Sequence, residues 1–185
     1  MYAEELISRL NAKTQSYSIQ IQGNRNTLTP SDIAAAIGLA RAPEAAKYLA
    51  RVRYAGQLEL SSKVTYALFD IINKKYHPHT KRKSYKSGLL TDMAMLAVGE
   101  YVQSDRCKSC RGVGERLIDH QKVLCPDCEG VGITLKHDEP RSVKLGLVRS
   151  TWNQSGKFTS WSKIYREMLY ILGNWDRKIC NQIRL

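Results

Sequence analysis

The 185-residue sequence lacks a long apolar run, since none of its apolar stretches approaches the ~20 residues needed to span a bilayer. Its N-terminus also lacks the basic region and apolar stretch of a secretory signal. Motifs of the GxxxxGKS/T, GxSxG and HExxH types are absent as well. We therefore expect a soluble intracellular protein that is not an enzyme and has no membrane partner.

Acidic residues are few, and they are distributed unevenly. The chain has 17 Asp and Glu against 29 Lys and Arg, a net charge of +12. Residues 1–100 carry a net +6, residues 101–140 a net −1 and residues 141–185 a net +7. An excess of this size favours a polyanionic partner, most often nucleic acid. On charge alone, a basic protein without such a partner remains the alternative.

Four of the five cysteines form two CxxC pairs that are separated by fourteen residues. The pairs are Cys107 with Cys110 and Cys125 with Cys128, and each continues as CxxCxGxG. Two such knuckles can place four thiolates around one Zn²⁺, and the glycines allow tight turns with free backbone N–H groups beside the sulfurs. Four sulfur ligands leave no position for water, so we predict one structural zinc ion.

Other interpretations of the four cysteines fit less well. Disulfides are disfavoured in a reducing compartment, and a redox CxxC normally lies at a helix N-terminus. Residues 116–119 and 121–124 predict two short strands between the knuckles. The four histidines are interpreted as ordinary surface residues, and Cys180 as a small buried residue of the last helix.

The remainder of the chain predicts a mainly α protein, a helical DNA-binding body with a small inserted zinc-binding hairpin. We expect a helical region at 1–102, a zinc module at 103–137 and a helix-turn-helix-like region at 138–185 that packs on the first.

Helices are predicted at 2–12, from Pro30, around 45–52, from Ser61 to Tyr76, from Leu89 to Val102, from Pro140 and from Ser160, with a strand at 17–22. The Ser61 helix is expected to turn Val64, Leu68, Ile71 and Ile72 inward, and the Pro140 helix to carry Val143, Leu147 and Val148 before a connection at 150–159.

The helix from Ser160 is the predicted DNA-reading element. Its apolar residues recur at helical spacing and predict an inward stripe of Trp161, Ile164, Tyr165, Met168, Leu169 and Leu172. Ser162, Lys163 and Arg166 are then expected to point outward near its N-terminal end, the end that enters a major groove in helix-turn-helix proteins. Phosphate contacts are expected from flanking residues: Lys144, Arg149 and Lys157. The helix pair at 30–55 is the alternative reader, or else two helices that simply pack together.

A basic segment at residues 74–86 holds six Lys and Arg and no acidic residue. Lys81, Arg82 and Lys83 are at its centre. This segment either contacts DNA phosphates or is a solvated linker, and the sequence favours neither.

The doubled CxxCxGxG is also the knuckle of DnaJ-type co-chaperones, but those carry four copies and a J-domain, which this sequence lacks. The chain more closely resembles the lambda-type antitermination protein Q family of lambdoid phages. The resemblance rests on TPSDIAAAIGLA at 29–40, the basic middle, one pair of knuckles and TSWSKIYREMLY at 159–170.

The resemblance implies a regulator of phage late genes in the host bacterial cytoplasm, associated with the nucleoid. Such proteins bind double-stranded DNA in the late promoter and engage paused host RNA polymerase through sigma region 4 and the β flap. The polymerase then reads through pauses and terminators. The alternatives are a zinc-containing, sequence-specific DNA-binding regulator that never joins elongation and, from another class, a DnaJ-like fragment that binds unfolded chains.

Overall fold

The fold is mainly helical, as expected, with one two-stranded antiparallel sheet. The computed structural model describes residues 29–80, 88–118, 121–135, 138–153 and 160–183. The predicted helix at 2–12 and strand at 17–22 lie outside these ranges. None of the helices in these ranges combines the length and the apolar character needed to cross a membrane.

The elements of the described ranges follow one another as helices around a single hairpin. Their bounds are α1 Pro30–Leu39, α2 Glu44–Tyr54, a 3₁₀ turn Leu58–Leu60, α3 Ser61–Thr80, α4 Leu89–Gln103, β1 Glu115–Ile118, β2 Gln121–Leu124, α5 Asp138–Lys144, α6 Arg149–Asn153 and α7 Trp161–Ile183.

Helix α1 begins where its sequence predicts. The Thr29 hydroxyl accepts a hydrogen bond from the backbone N–H of Asp32 at 3.2 Å, and the Asp32 carboxylate accepts one from the Thr29 N–H at 2.8 Å. These reciprocal bonds satisfy two donors that a helix start leaves free, and Pro30 lacks an N–H there. The same bonds lower the pKa of Asp32 and so favour its ionised form. The resulting negative charge lies at the positive end of the helix dipole, where it is stabilising.

Helix α7 is the centre of the core, because α2, α3 and α4 all pack against it. Its predicted stripe is buried, apart from Trp161, which is half-buried. Leu49 of α2, Leu68 of α3 and Met93 of α4 are also fully buried in this cluster. A helix with one apolar face therefore organises the bundle by burying that face against three others.

One inward prediction is wrong. Ile71 is 41% exposed, although Val64, Leu68 and Ile72 on the same helix are buried as expected. The buried residues of this helix, Val64, Leu68, Ile72 and Tyr76, are spaced four apart, so the buried face advances by about 40° at each step and leaves Ile71 at its edge.

The region between the zinc module and α7 also differs from the prediction. Helix α5 begins two residues before Pro140 and ends at Lys144, and Gly146 follows with a φ of 64°. Leu147 and Val148 therefore lie beyond the helix, and Val143 and Val148 are largely exposed. The predicted connection contains α6, whose Trp152 is buried against Tyr165 with ring centroids 5.7 Å apart.

Candidate metal centre

The four predicted ligands converge on one point. Their Sγ atoms all lie within 4.8 Å of one another, and all four cysteines are buried. The Cys107 and Cys125 sulfurs are 3.9 Å apart, and those of Cys110 and Cys128 are 3.6 Å apart. Metal–sulfur bonds of ~2.3 Å in a tetrahedron place sulfurs about 3.8 Å apart. The four residues are thus positioned to bind one metal ion, with every ligand position of a tetrahedral site filled by protein.

The two knuckles have the same backbone geometry. The N–H of Gly114 donates to the Cys110 sulfur at 3.2 Å, and that of Gly132 donates to the Cys128 sulfur at 3.3 Å. Each knuckle has a positive φ at the first, second and fourth residues after its second cysteine. These are Arg111 52°, Gly112 91° and Gly114 78° in the first knuckle, and Glu129 50°, Gly130 83° and Gly132 88° in the second. The N–H···S bonds stabilise thiolate charge and so favour metal binding.

The knuckles also touch each other through their glycines. A Cβ added to Gly114 would overlap the carbonyl oxygen of Gly130, and one added to Gly132 would lie 2.5 Å from that of Gly112. Such a distance is well inside van der Waals contact, so the backbones can approach this closely only because side chains are absent. The glycines that the sequence singled out are therefore required by sterics as well as by φ.

Titration of the sulfurs reflects competition between burial and hydrogen bonding. Burial is the largest single effect on Cys107 and raises its pKa, but hydrogen bonds from the backbone of Cys110 and Ser109 and from the thiols of Cys110 and Cys128 together lower that pKa below its ordinary value. At Cys110 and Cys128 burial dominates, and the pKa is raised. Several thiolates in one buried cluster repel one another, and a divalent cation removes that penalty.

The second knuckle is joined to α7. A Cβ on Gly173 of α7 would overlap the carbonyl oxygen of Val131, which shows that the helix backbone lies directly on the knuckle. Arg177 donates to the carboxylate of Glu115 at 2.6 Å and to the carbonyl oxygen of Gly130 at 2.9 Å. Val131 also belongs to the main hydrophobic core. The module is thus part of the bundle and not a separate appendage.

The predicted strands between the knuckles are present as β1 and β2. They pair antiparallel, with Glu115 opposite Leu124 and Ile118 opposite Gln121. Residues 119 and 120 between them lie outside the described ranges. The pairing brings the two CxxC segments together, so the hairpin positions the ligands.

Those residues predicted to contact DNA that lie in the described ranges are on α5, α6 and α7. Lys144 is exposed at the end of α5, Arg149 is exposed at the start of α6, and Lys163 is exposed in the first turn of α7. Arg166, also exposed on α7, lies 3.5 Å from the carboxylate of Glu129 and 3.4 Å from that of Asp138. Lys157, Lys81, Arg82 and Lys83 lie outside the described ranges.

The outward orientation predicted for Ser162 is wrong. Ser162 is buried at 9% exposure, and its hydroxyl lies 3.0 Å from that of Ser160. Position 162 is on the side of α7 that bears Leu169, which explains how a small polar residue is covered. Ser160, from which the helix was predicted to start, caps it, since its hydroxyl accepts a hydrogen bond from the Lys163 N–H at 3.4 Å.

Sequence reasoning missed two buried charged clusters. Asp176 accepts hydrogen bonds from the hydroxyls of Tyr54 and Tyr101 at 2.7 and 3.0 Å, with Arg53 at 3.8 Å. Burial, followed by the charge of Asp176, raises the pKa of both tyrosines. Asp176 follows Leu172 by four residues and so continues the apolar stripe of α7. An acidic residue at such a position was the sequence signal that could have revealed this buried cluster.

Glu100 forms the second cluster. It accepts from Arg141 at 2.6 Å and from the Tyr165 hydroxyl at 2.9 Å, and both charged residues are buried. Arg141 also pairs with Asp138 at 2.9 Å. The cluster therefore fastens α5 to α4 and α7, where it supports the position of the predicted DNA-contacting residues.

Comparison with known proteins adds no relative: no protein-family model and no curated protein matches this chain.

Proposed function

We propose that this protein is a phage late-gene transcription antiterminator with one structural Zn²⁺. It binds a late promoter element in double-stranded DNA, engages the paused host RNA polymerase and makes the enzyme read through pauses and terminators. The observation that carries the proposal is a closed four-sulfur centre built from one pair of CxxCxGxG knuckles inside a basic helical chain. All-thiolate coordination suits zinc in a structural role.

Charge divides the molecule between two kinds of partner. Residues 1–100 and 141–185 hold the whole positive excess, whereas residues 101–140 carry a net −1. Four thiolates around a divalent ion make the module still more negative. The helical body is therefore the DNA-binding part, and the module suits a protein contact better than a phosphate contact.

The exposed basic residues support α7 as the DNA reader. Further along α7, the second knuckle packs on Gly173 and Arg177. The first turn, with Lys163, is left for a major groove, as in helix-turn-helix proteins. Arg166 would exchange its two long carboxylate contacts for a base or phosphate of DNA.

We infer polymerase binding through sigma region 4 and the β flap from the family resemblance. So do the location in the host cytoplasm with the nucleoid and the absence of catalytic activity. The same zinc centre and basic surface would serve a sequence-specific regulator that does not join elongation. That alternative predicts equal DNA binding with no effect on an elongating polymerase.

A footprint on late-promoter DNA, with and without polymerase paused nearby, tests the proposal. We expect the protein to protect its element weakly alone and more strongly when the paused enzyme is present. Protection that is unchanged by polymerase would favour the alternative, and no protection of any promoter element would exclude both.

The salt dependence of DNA affinity provides a second test, since Lys and Arg on phosphates release counterions. Replacing Lys81, Arg82 and Lys83 by Ala should reduce the log–log slope by roughly 2–3 units if they contact phosphates. If the slope is unchanged, the segment is a solvated linker that does not contact DNA phosphates.

A further inference from the structure

Two exposed cations near the start of α7 have different surroundings. Lys163 and Arg166 are three residues apart, so their side chains are neighbours on the helix surface. No carboxylate of the described residues forms an ion pair with Lys163. Arg166 instead lies between two carboxylates, with Nη1 3.5 Å from Glu129 and Nη2 3.4 Å from Asp138. The two cations therefore offer different sites to DNA.

Packing holds the two carboxylates beside Arg166. Glu129 belongs to the second knuckle, whose backbone lies on α7 at Gly173. Asp138 begins α5 and pairs at 2.9 Å with the buried Arg141, which also pairs with the buried carboxylate of Glu100. The contacts to Arg166 are long, and its side chain is half exposed. The guanidinium can thus move to a ligand, while the carboxylates stay where they are.

The charges around Arg166 do not balance. The network contains two guanidinium groups and three carboxylates, those of Arg141, Arg166, Glu100, Asp138 and Glu129. Glu167, the next residue of the helix, pairs with Lys75 and adds no net charge. A phosphate brought to Arg166 would therefore meet a surface that is already net negative.

We propose that Glu129 and Asp138 direct Arg166 to a guanine edge in the major groove and keep it from binding phosphates. The planar guanidinium can donate two hydrogen bonds to O6 and N7 of guanine, and that edge carries no net charge. Both carboxylates would repel a phosphate at the same place. Lys163, a compact charge, is left to bind a phosphate. The inference rests on the proposed function for its DNA partner and specifies the contact that Arg166 makes.

Repulsion of phosphate generates the selectivity, and the cost of breaking the ion pairs does not. Arg166 must leave its carboxylates for either ligand, so that cost cancels when the affinities for two DNA sequences are compared. The repulsion acts only against a phosphate and weakens binding to sequences that offer no guanine at this place. An unfavourable charge placed against the wrong partner is a general source of specificity.

Glu129→Gln tests the proposal, because it removes the charge of an exposed side chain and keeps its size. The measurement compares a duplex that the wild-type protein selects from a random pool with a scrambled duplex. The affinity for the scrambled duplex should rise about threefold more than that for the selected duplex. The control, Asp127→Asn, removes an exposed carboxylate of the same knuckle that lies beside Ser109, and it should raise both affinities equally. A Glu129→Gln protein with unchanged selectivity would overturn the proposal.

A double-mutant cycle shows whether Glu129 acts through Arg166. Arg166→Gln alone should weaken the selected duplex by about tenfold and the scrambled duplex by less than twofold. In that background, Glu129→Gln should no longer change the ratio of the two affinities. Lys163→Ala should weaken both duplexes alike, as a phosphate contact does. A ratio that still falls threefold without Arg166 would contradict the assignment.

These measurements use DNA alone and so separate the inference from antitermination. Selectivity that falls with Glu129→Gln, in a protein that does not increase read-through, would leave the inference standing and contradict the proposed function. Read-through by a protein whose selectivity tolerates Glu129→Gln would do the reverse. A wild-type protein that selects no sequence from the random pool would overturn both.

Discussion

The two cysteine knuckles have one local geometry and two different surroundings. In each, a glycine N–H reaches a cysteine sulfur, at 3.2 Å in the first and 3.3 Å in the second. In the first knuckle Val113 is half-buried, whereas its counterpart in the second, Val131, is 4% exposed and belongs to the main core. The eight-residue motif thus determines the path of the chain and the direction of the sulfurs, but not the contacts of the knuckle.

The neighbour that distinguishes the knuckles is α7. The backbone of that helix lies against the second knuckle at Gly173, and Arg177 donates to Gly130 there. The first knuckle has Arg106 against Gly112 and meets α7 through the end of the Arg177 side chain, near Gly114. Equivalent substitutions in the two knuckles should therefore have equal effects on the metal and unequal effects on the bundle. Four sets of variants test that statement.

Loss of a ligand should be the most severe change, and it should be equal in the two knuckles. Cys107→Ser and Cys125→Ser should each abolish the one ion per chain and lower the free energy of unfolding by several kcal/mol, because metal binding and folding of such a site are coupled. Elemental analysis of freshly purified, reduced protein and urea denaturation provide the measurements. Cys180→Ser is the control that should keep its metal. Zinc retained by only one of the ligand variants would contradict a shared site.

The close approach of α7 to the second knuckle predicts the next effect. Gly173→Ala should destabilise the protein by about 3 kcal/mol, because its Cβ would overlap the Val131 carbonyl oxygen and force a backbone shift. Gly99→Ala, in the interior of α4 with no atom within 4 Å of its Cβ, should instead stabilise by ~0.5–1 kcal/mol. Opposite signs in urea titrations are expected, and two stabilising changes would show that the knuckle does not lie on α7.

Arg177 tests the polar link between the second knuckle and α7. Arg177→Ala should cost about 2 kcal/mol, since it removes bonds to Glu115 and to the Gly130 carbonyl. The neighbouring exposed residue provides the control, Lys178→Ala, which should change stability by less than ~0.5 kcal/mol. Thermal denaturation of the zinc-loaded variants measures the difference in stability. Equal losses in the Arg177 and Lys178 variants would show that Arg177 does not connect the knuckle to α7.

The two valines provide the most direct match between knuckles. Val131→Ala should cost about 1.5 kcal/mol, since two methyl groups leave the core, and Val113→Ala less than half of that. Both variants should retain one zinc ion, which separates packing from ligation. If Val113→Ala is the more costly change, the second knuckle is not the one that supports the bundle.

Local patterns made the metal centre and the helix starts predictable. The CxxCxGxG spacing identified all four ligands, and Thr29 with Asp32 identified the start of α1, because ligand spacing and capping depend on a few adjacent residues. The burial of Ser162 and the helix around Trp152 depend on contacts between distant segments. Asp176 and Glu100 are charged residues whose burial requires Tyr54, Tyr101 and Arg141, and sequence spacing alone does not reveal such partners.

Transcription through a terminator in a purified system tests the central claim most directly. The reaction contains host RNA polymerase, late-promoter DNA and either the zinc-loaded protein or the Cys125→Ser variant. We predict that transcripts extending beyond the terminator increase with the wild-type protein, only when the promoter carries the DNA element that the protein protects, and not with the variant. If the wild-type protein binds that DNA and the amount of read-through transcript does not change, the antitermination account is wrong.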